Sequence, residues 1–481
     1  MSNEARSRSQ RATPMRAPRR RYRRILAVTG TVLLTVVTFA ATLAAGALVT
    51  GRGLHQSVPS SRSQTVRDTA GEVATGASRA RVRHGRPLVV AFVAGTAGTV
   101  ASDLLAPYDI FASSPAFRPY VVAADADPVP LEGGPALVPT YTFDDVDADP
   151  ALRPDLVVVP ALSKPTGTTE AAFRSWVRTQ HDDGARILGV CAGSVVLAET
   201  GMLDGRRATS HWSRVSALRH NRPAVHWVTG RRWVEDGSVT TTAAVSSGVP
   251  AALHLVAELA GPAEAQRVAN LHPELRWSPR QTTAITKDHF AVSDWPVGLN
   301  VVEPWFRPTV GITLPDGVGE LDATAAFEVY TQSAAARTVA LATGDTVRTR
   351  HGLVLLTTST REAPALSRVV VPGADDVAPR LRHWADSRGL DVESLGAGPD
   401  GTPGSGGGFA SALQDLAAHT DATTASSTAK MIGYPTADVD LQRGHTQLRA
   451  VLLALVSLAL AVLVGLAPAS VARHRRGRVV A

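Results

Sequence analysis

The sequence predicts an α/β protein whose doubly wound, mostly parallel sheet is duplicated along the chain and flanked by two transmembrane helices. Short apolar runs alternate with helical patterns between residues 87 and 260, which is typical of parallel strands joined by helices. Several short motifs recur in the same order in the second half of the 481-residue chain. Uncharged apolar stretches beside arginine-rich tails lie near both ends.

The two ends of the chain are predicted to anchor it in a membrane. Residues 25–51 and 450–472 contain no charged residue and are long enough to span a bilayer. Nine arginines lie in the tail at 1–24 and four in the tail at 473–481. Because positive residues stay in the cytoplasm, both termini are predicted to be cytoplasmic in a bacterial-type cell membrane, with residues 52–449 outside. Cleavage of the first stretch as a signal peptide would leave the middle region on the same side.

The positive net charge of the chain comes from these tails. The chain carries +7 in total, whereas nine arginines less Glu4, together with the four C-terminal arginines, give +12, which leaves the remainder at −5. This distribution indicates membrane anchoring and not a nucleic-acid surface. The only cysteine is Cys191, so an intramolecular disulfide framework is excluded. The middle region must be held by apolar cores, and about 400 residues suffice for two domains.

Regular structure is expected from residue 87 onward, after a polar linker at 52–86. A Gly-rich turn at 95–98 follows the first strand. Ligands of such sheets bind beyond the carboxyl ends of the strands. In chain order, the predicted elements are strand 88–93, helix 102–112, strand 119–123, strand 156–159, helix 173–180, strand 187–190, strand 238–244 and helix 249–259.

The strand at 187–190 leads directly into Cys191, and Ala192, Gly193 and Ser194 precede an apolar helical run. A strand that turns sharply into a helix lifts its corner side chain out of the sheet, which is the geometry of a nucleophile elbow. The N-terminus of the helix offers N–H groups and a positive dipole end to a thiolate. The alternative is a buried structural cysteine at the edge of a strand.

Four motifs indicate an internal repeat. The matching pairs, in chain order, are 102–111 with 321–330, 157–160 with 369–372, Trp176 with Trp384, and 248–253 with 408–413. The offset is 208 to 219 residues for the first three motifs and 160 for the fourth, so the second copy is about 48 residues shorter. The missing residues include those aligned with Cys191 and His211, so the second copy is predicted to pack like a dimer partner.

These patterns divide the middle region into four parts. A complete domain is predicted at 87–275 and a connector at 276–307. A degenerate copy without the elbow follows at 308–435, and a second linker at 436–449. Assembly of several chains into a homo-oligomer also stays open.

Residues 87–260 resemble the PfpI family, which belongs with DJ-1 to the class I glutamine-amidotransferase-like superfamily. The resemblance implies a flavodoxin-like fold. The same domain forms the ligand-sensing half of certain AraC-type transcription regulators, but here a predicted membrane span follows, so no nucleic-acid partner is expected. The residues that carry the resemblance are 103–111, 157–160, 190–194, 205–212, 233–237 and 240–248.

The resemblance implies a catalytic site of three residues. Cys191 matches the reactive elbow cysteine, Asp103 matches an acidic residue that approaches the thiol, and His211 matches a histidine often found near it. An acidic partner can move a proton, and an imidazole can stabilise or deprotonate the thiol. The structural alternatives are an N-cap role for Asp103 and a turn position for His211 beside Thr209 and Ser210.

Backbone N–H groups near the cysteine are candidates for an oxyanion hole. Ala192 and Gly193 follow the cysteine, and Gly98 belongs to the turn after the first strand. Ala192 stands where proteolytic relatives carry histidine and where isonitrile-hydratase-like relatives carry a hydroxyl residue. This departure makes the site more similar to the DJ-1-like branch, whose reactions are glyoxal-type hydration and redox sensing.

Three classes of function stay open. The first is a cysteine-dependent hydrolase, or a hydratase of the lyase class, acting on a small carbonyl or amide-like molecule. The second is a membrane-anchored module that binds or senses a small molecule or an oxidant. The third is a scaffold in which Cys191 is vestigial. The sequence contains no phosphate loop, His/Cys metal cluster or dinucleotide fingerprint, so neither a cofactor nor a metal is predicted.

Overall fold

The computed structural model of the protein describes residues 19–53, 86–272, 275, 277–374, 376–396, 408–436, 439–441 and eight positions between 451 and 463. The strands are β1 (Leu88–Val93), β2 (Phe117–Ala123), β3 (Val129–Pro130), β4 (Ala136–Val138), β5 (Tyr141–Thr142), β6 (Leu156–Val159), β7 (Arg186–Gly189), β8 (Arg207–Ala208), β9 (His226–Trp227), β10 (Trp233–Asp236), β11 (Val239–Thr242), β12 (Thr309–Thr313), β13 (Arg337–Ala342), β14 (Thr346–Arg348), β15 (Val354–Leu356), β16 (Thr358–Ser359), β17 (Arg368–Val371) and β18 (Val392–Ser394). The α-helices are α1 (Arg19–Gly53), α2 (Ala101–Ala112), α3 (Phe143–Ala148), α4 (Ala171–Asp182), α5 (Gly193–Glu199), α6 (Trp212–Asn221), α7 (Val245–Ala260), α8 (Pro262–Ala269), α9 (Trp295–Val302), α10 (Glu320–Ser333), α11 (Pro379–Asp386), α12 (Phe409–His419) and α13 (Ala422–Ile432).

The first sheet has seven strands in the order β10-β11-β7-β6-β1-β2-β5, and every neighbouring pair except β10–β11 is parallel. Its central strands are continuous apolar runs because helices cover both faces. In β1, Val90 and Phe92 face the layer of α2, α7 and α8, whereas Val89 and Ala91 face the layer of α3 to α6. The predicted doubly wound, mostly parallel α/β sheet is therefore confirmed.

The second half of the chain forms a parallel sheet of its own, in the order β16-β13-β12-β17-β18. A third sheet, β14-β15-β4-β3, is antiparallel and contains strands from both halves, with Leu137 of β4 opposite Leu355 of β15. Leu104 of α2 and Phe327 of α10 belong to one continuous apolar core. The two halves are thus joined by shared strands and by a common core.

Most predicted elements agree with the structure to within a few residues, and the exceptions have local reasons. Helix α7 begins at Val245, four residues earlier than predicted, and Pro250 lies inside it. The short antiparallel strand β10 was missed because its residues alternate weakly and are followed at once by the turn at Gly237. The predicted connector at 276–307 contains a helix, α9.

The N-terminal apolar stretch is helical, and its segment Leu33–Thr50 is long and apolar enough to cross a membrane. It is the only such helix among the described residues, and a signal sequence has the same length and composition. Two transmembrane helices are therefore not confirmed. The predicted second span is mostly outside the described residues, as are almost all of the 52–86 linker, most of the 436–449 linker and the tail at 473–481.

A buried ion pair fixes the second sheet to its helices. Arg368 of β17 donates to both carboxylate oxygens of Asp415 in α12, at 2.9 and 2.8 Å. The hydroxyl of Tyr330 in α10 contacts both side chains. A bidentate pair of this kind is a strong, directional contact, and removing one partner leaves a charge buried.

We expect Asp415→Ala to lower the free energy of unfolding by about 3 kcal/mol, because the Arg368 guanidinium would keep only the exposed carboxylate of Glu393 as an acidic partner. Urea unfolding of the purified chain measures this loss. Asp376→Ala is the matched control, since Asp376 pairs with Arg382 on an exposed surface. Equal unfolding midpoints for the two variants would contradict the prediction.

Candidate functional site

Cys191 occupies a sharp corner between β7 and α5. Strand β7 ends at Gly189, helix α5 begins at Gly193, and Cys191 has a φ angle of 52°. This left-handed conformation costs a non-glycine residue about 1–3 kcal/mol and persists only where its surroundings impose it. The Cys191 N–H donates to Thr242 Oγ1 at 2.9 Å, and the Ser194 hydroxyl donates to the Cys191 carbonyl at 3.1 Å. The corner has the strand–turn–helix geometry of a nucleophile elbow.

Small residues allow the corner to pack closely on the neighbouring strand. A Cβ atom added at Gly193 would lie 2.1 Å from the Val159 carbonyl oxygen, and one at Gly248 would lie 2.9 Å from Val190 Cγ1. The Gly193 N–H donates to the Val190 carbonyl at 2.7 Å. Glycine at 193 is therefore needed to place the first turn of α5 against β6.

The Cys191 thiol is enclosed, with 6% of the residue exposed. Burial raises the pKa of this thiol well above its usual range, and the nearby Asp103 and Glu328 carboxylates raise it further. The Ala192 N–H donates to the sulfur and acts in the opposite direction. In the resting protein the sulfur therefore carries its proton at neutral pH.

Asp103 of α2 is the carboxyl group beside this thiol. One oxygen, Oδ2, accepts from the Ala161 N–H at 3.0 Å, whereas Oδ1 is buried without a hydrogen-bond partner among the described residues. Burial, and then the charge of Glu328, raises the pKa of Asp103 well above its usual range. The N-cap of α2 is Val100, so Asp103 does not cap its own helix.

Glu328 of α10 brings a second carboxyl group to the same site, and sequence reasoning missed it. It accepts from the Ser102 hydroxyl at 2.6 Å and from the Gln332 amide at 2.9 Å. Burial raises the pKa of Glu328 to about 7. The available signal was the predicted internal repeat, in which Glu328 aligns with Asp109 at the same offset as the first motif.

The two ring nitrogens of His211 are bonded to Ser213 and Met431. Its Nδ1 accepts from the Ser213 N–H, and its Nε2 donates to the Met431 carbonyl at 2.7 Å. Burial lowers the pKa of His211, so the ring is neutral. Both ring nitrogens are engaged, and a direct role for His211 at the thiol stays a prediction that these contacts do not support.

The turn at 95–98 uses its N–H groups internally. The Gly98 N–H donates to the Gly95 carbonyl at 3.2 Å, and the Ala97 N–H donates to Glu170 Oε1 at 2.7 Å. Gly98 has a φ angle of 122°, a conformation that favours glycine. Of the three N–H groups predicted for an oxyanion hole, that of Ala192 reaches the sulfur, whereas those of Gly98 and Gly193 are bound to backbone carbonyls.

A cavity of about 840 Å³ lies beside the elbow. Its wall includes Ala243 and Ala244, which directly follow the Thr242 that binds the Cys191 N–H. Arg232, which is partly buried, and Lys430 of α13 also line it. Both halves of the chain contribute to this cavity, and Cys191 itself is not part of its lining.

We expect Gly193→Ala to lower the free energy of unfolding by about 1–3 kcal/mol, because the new methyl group would press on the Val159 carbonyl. Gly298→Ala is the matched control, since its Cβ would meet open space in helix α9 and alanine favours helices. Urea unfolding of both variants tests the difference. A Gly193 variant as stable as the control would show that the elbow tolerates a side chain there.

Comparison with known proteins identifies relatives of the first half. A sequence model of the DJ-1/PfpI family matches residues 89–258. The HTH-type transcriptional regulator CdhR of Pseudomonas aeruginosa is 34% identical over 169 residues, which are 34% of this chain and 47% of the regulator. The chain thus spans less than half the length of that relative. The isonitrile hydratase of Pseudomonas putida is 36% identical over 169 residues, which are 34% of this chain and 70% of the hydratase.

A protein of Streptomyces lividans from the cpoL 5′ region is 33% identical over 127 residues, which are 25% of this chain and 86% of that protein. Among solved structures, a THiJ/PfpI family protein from Pseudomonas syringae has 28% identity and a TM-score of 0.36, over 42% of this chain and 85% of that one. Drosophila melanogaster DJ-1beta has 20% identity and a TM-score of 0.33, over 38% of this chain and 96% of that one. Through residues 89–258, the chain belongs to the DJ-1/PfpI family.

Proposed function

We propose that the first half of the chain is a cysteine-dependent hydratase or hydrolase of a small carbonyl, amide-like or isonitrile molecule. Isonitriles are included because a relative of 36% identity is an isonitrile hydratase, although Ala192 replaces the hydroxyl residue of such enzymes. The observation that carries this proposal is the unpartnered Asp103 Oδ1, buried beside the strained Cys191. A buried carboxylate oxygen without a donor costs stability, and such a cost is characteristic of groups kept for chemistry.

In this proposal Asp103 is the base and then the acid. The thiol proton moves to Asp103 Oδ1 as the sulfur bonds to the electrophilic carbon, and Asp103 then returns the proton to the substrate. For an isonitrile, the proton goes to the carbon bonded to sulfur, which gives a thioimidate. Water then adds to that carbon, the sulfur leaves with a proton, and a formamide is released. The Ala192 N–H stabilises the sulfur when it is negatively charged.

Glu328 sets the charge of this pair. Its carboxyl is buried on α10 and influences the pKa values of both Asp103 and Cys191. A negative charge on Glu328 makes Asp103 a stronger base, because like charges disfavour ionisation of a neighbouring carboxyl. The second half of the chain thus tunes the site of the first half.

We further propose that the second half, at 308–435, is a degenerate copy of the domain at 87–275. The strand order β16-β13-β12-β17-β18 repeats the order β5-β2-β1-β6-β7, without counterparts of β10 and β11. The contacts across the junction also pair reciprocally. Ser102 donates to Glu328, and Leu321, which aligns with Ser102, donates to Asp109, which aligns with Glu328. Such self-complementary contacts are typical of a two-fold interface between like units.

A second candidate function, a small-molecule sensing module, is favoured by the cavity beside the elbow. This cavity lies between the two halves and presents the cationic Arg232 and Lys430, but it does not expose Cys191. A ligand held there would report its presence through the junction without reacting with the thiol. The regulator relative supports this alternative, since its name states a transcriptional role.

We also propose that α1 anchors the protein in a membrane. Most of its apolar side chains between Leu33 and Thr50 are exposed. The Thr50 hydroxyl donates to the Val301 carbonyl at 2.6 Å, so the end of the helix is fixed against α9. The exposed Trp295 and Trp305 lie in and just after α9, where tryptophan suits a membrane–water interface.

We expect Asp103→Asn to shift the pH midpoint of Cys191 alkylation to lower pH, because the variant loses a negative charge that raises the thiol pKa. The same variant should lose turnover of isonitriles and small amides, because asparagine cannot accept the proton. Alkylation rates across pH and product formation measure the two effects. Asp144→Asn, on the first turn of α3 away from the elbow, is the control.

Opposite movement of the two readouts distinguishes a proton-transfer role from a structural one. If the wild-type chain turns a substrate over and Cys191→Ser does not, while ligand affinity is unchanged, the enzyme proposal is supported. Ligand binding by a wild-type chain without turnover of any tested substrate would overturn the enzyme proposal in favour of the sensing module.

Deletion of residues 19–53 together with 450–472 is expected to release the protein from carbonate-washed membranes, whereas the full chain should stay with them. Immunoblotting of the membrane and soluble fractions measures the distribution. Deletion of 450–472 alone is the control for the contribution of α1. A full chain found in the soluble fraction, or one whose mature N-terminus lies beyond residue 50, would contradict the anchor.

A further inference from the structure

Four side chains from four separate segments meet at the other end of the junction between the halves. They are Asp109 of α2, His272 after α8, Glu320 at the start of α10 and His351 in the turn between β14 and β15. Two belong to the first half and two to the second. We propose that these residues, the junction cluster, bind a divalent transition-metal ion, with zinc as the best fit.

The spacing of the candidate ligand atoms suits a tetrahedral ion. His351 Nδ1 lies 2.8 Å from Glu320 Oε2 and 3.5 Å from Asp109 Oδ1, and His272 Nε2 lies 3.7 Å from Asp109 Oδ1. Ligands about 2.0–2.1 Å from zinc in a tetrahedron are separated by roughly 3.4 Å. The ligand atoms of Asp109, Glu320 and His351 all lie within 4.8 Å of one another, so these three can share one ion after small shifts. His272 contacts this group through Asp109 and would turn toward the ion as the fourth ligand.

The remaining polar atoms of the cluster are held by the fold. Asp109 Oδ2 accepts from the Leu321 N–H at 3.0 Å, and Glu320 Oε1 accepts from the His351 N–H at 2.9 Å and from the Thr349 hydroxyl. Each carboxylate thus uses one oxygen for the backbone and directs the other into the cluster. His351 Nε2 lies 3.5 Å from the Ser113 hydroxyl, which orients Nδ1 inward. Outer contacts of this kind are what metal ligands require.

Asp109 supplies the independent observation that a cation belongs there. Its side chain is 1% exposed, and Oδ1 has no hydrogen-bond partner among the described residues. A buried carboxylate oxygen in this position needs a donor or a cation to offset its lost hydration. An ion bound to Asp109 Oδ1 satisfies that oxygen without disturbing the bond from Leu321.

Two other groups of histidine and carboxylate side chains lack this character. In Glu235, His254 and Glu258, the Arg186 guanidinium lies 2.7 and 3.0 Å from the two carboxylates. In the second group an arginine likewise bridges the acids. The members of that group are Glu393, Asp415 and His419, and the arginine is Arg368. Both groups already have a cation, and both contain exposed members.

The donor set determines the class of metal. Two imidazoles with two carboxylates favour zinc or a similar borderline ion over magnesium and calcium, which prefer oxygen ligands alone. With His272 as the fourth ligand, the protein would leave no open coordination position, so the ion would be structural. It would link the two halves at the end of the junction that lies opposite the Cys191 site. The sequence predicted no metal because its ligands are far apart along the chain.

The test is zinc binding by the purified full-length chain after dialysis against a chelator. Competition with a chromophoric zinc indicator should give one tight site per chain, and cobalt should give the absorption bands of tetrahedral coordination. Asp109→Asn and His351→Gln should each weaken zinc binding by about 100-fold or more. Cys191→Ser should bind zinc as the wild-type chain does, which separates this site from the thiol.

His419→Gln is the matched control, because it removes an imidazole from the cluster that contains Arg368. Its zinc affinity should equal that of the wild-type chain. Absence of a tight site in the wild-type protein overturns the proposal without any variant. Equal zinc affinity in Asp109→Asn, in His351→Gln and in the wild-type chain overturns it as well, since binding would then lie elsewhere.

Discussion

The packing of α2 against α10 is the contact on which the rest of the structure depends. Both helices are buried on nearly all sides, including their polar side chains. A helix that is buried on all sides needs packing partners on every face, and α2 and α10 each cover one face of the other. Ser102 donates to Glu328, and Asp109 accepts from Leu321. Separating the halves would remove the hydrogen-bond donors of these carboxylates and expose the shared core to water. We therefore expect the two halves to fold as one unit.

This single junction supports two different local chemistries. At one end α10 contributes Glu328, which raises the pKa of Asp103 and of Cys191. At the other end α2 contributes Asp109 to the junction cluster. The carboxyl groups there lie beside two imidazoles, whereas those at the first end lie beside a thiol. The exchange is reciprocal: Ser102 of α2 donates to Glu328, and Leu321 of α10 donates to Asp109. These contacts between the halves use the helices and not the elbow.

Local signals in the sequence predicted the sheet and the strand–turn–helix corner at Cys191, because each depends on neighbouring residues. A buried apolar strand followed by Cys191 and two small residues has few other structures available to it. Glu328 and the junction cluster could not be predicted in the same way, since their roles arise only when distant segments pack. His211 illustrates the limit, because the carbonyl that binds its Nε2 belongs to Met431 at the end of α13. No sequence pattern around His211 predicts this contact with Met431.

The state of the thiol bears on which function the site serves. Thiolates, not thiols, react readily with peroxides, and oxidation-sensing cysteines are exposed with lowered pKa values. Cys191 is enclosed, and burial together with two carboxyl groups raises its pKa. Such a thiol is protected from oxidants until a base removes its proton. In the proposed mechanism, Asp103 removes the thiol proton only as the sulfur forms a bond to an electrophilic carbon of a molecule in the site, because that bond removes the negative charge from the sulfur. The geometry therefore favours a small reacting molecule over an oxidant as the species to which this site responds.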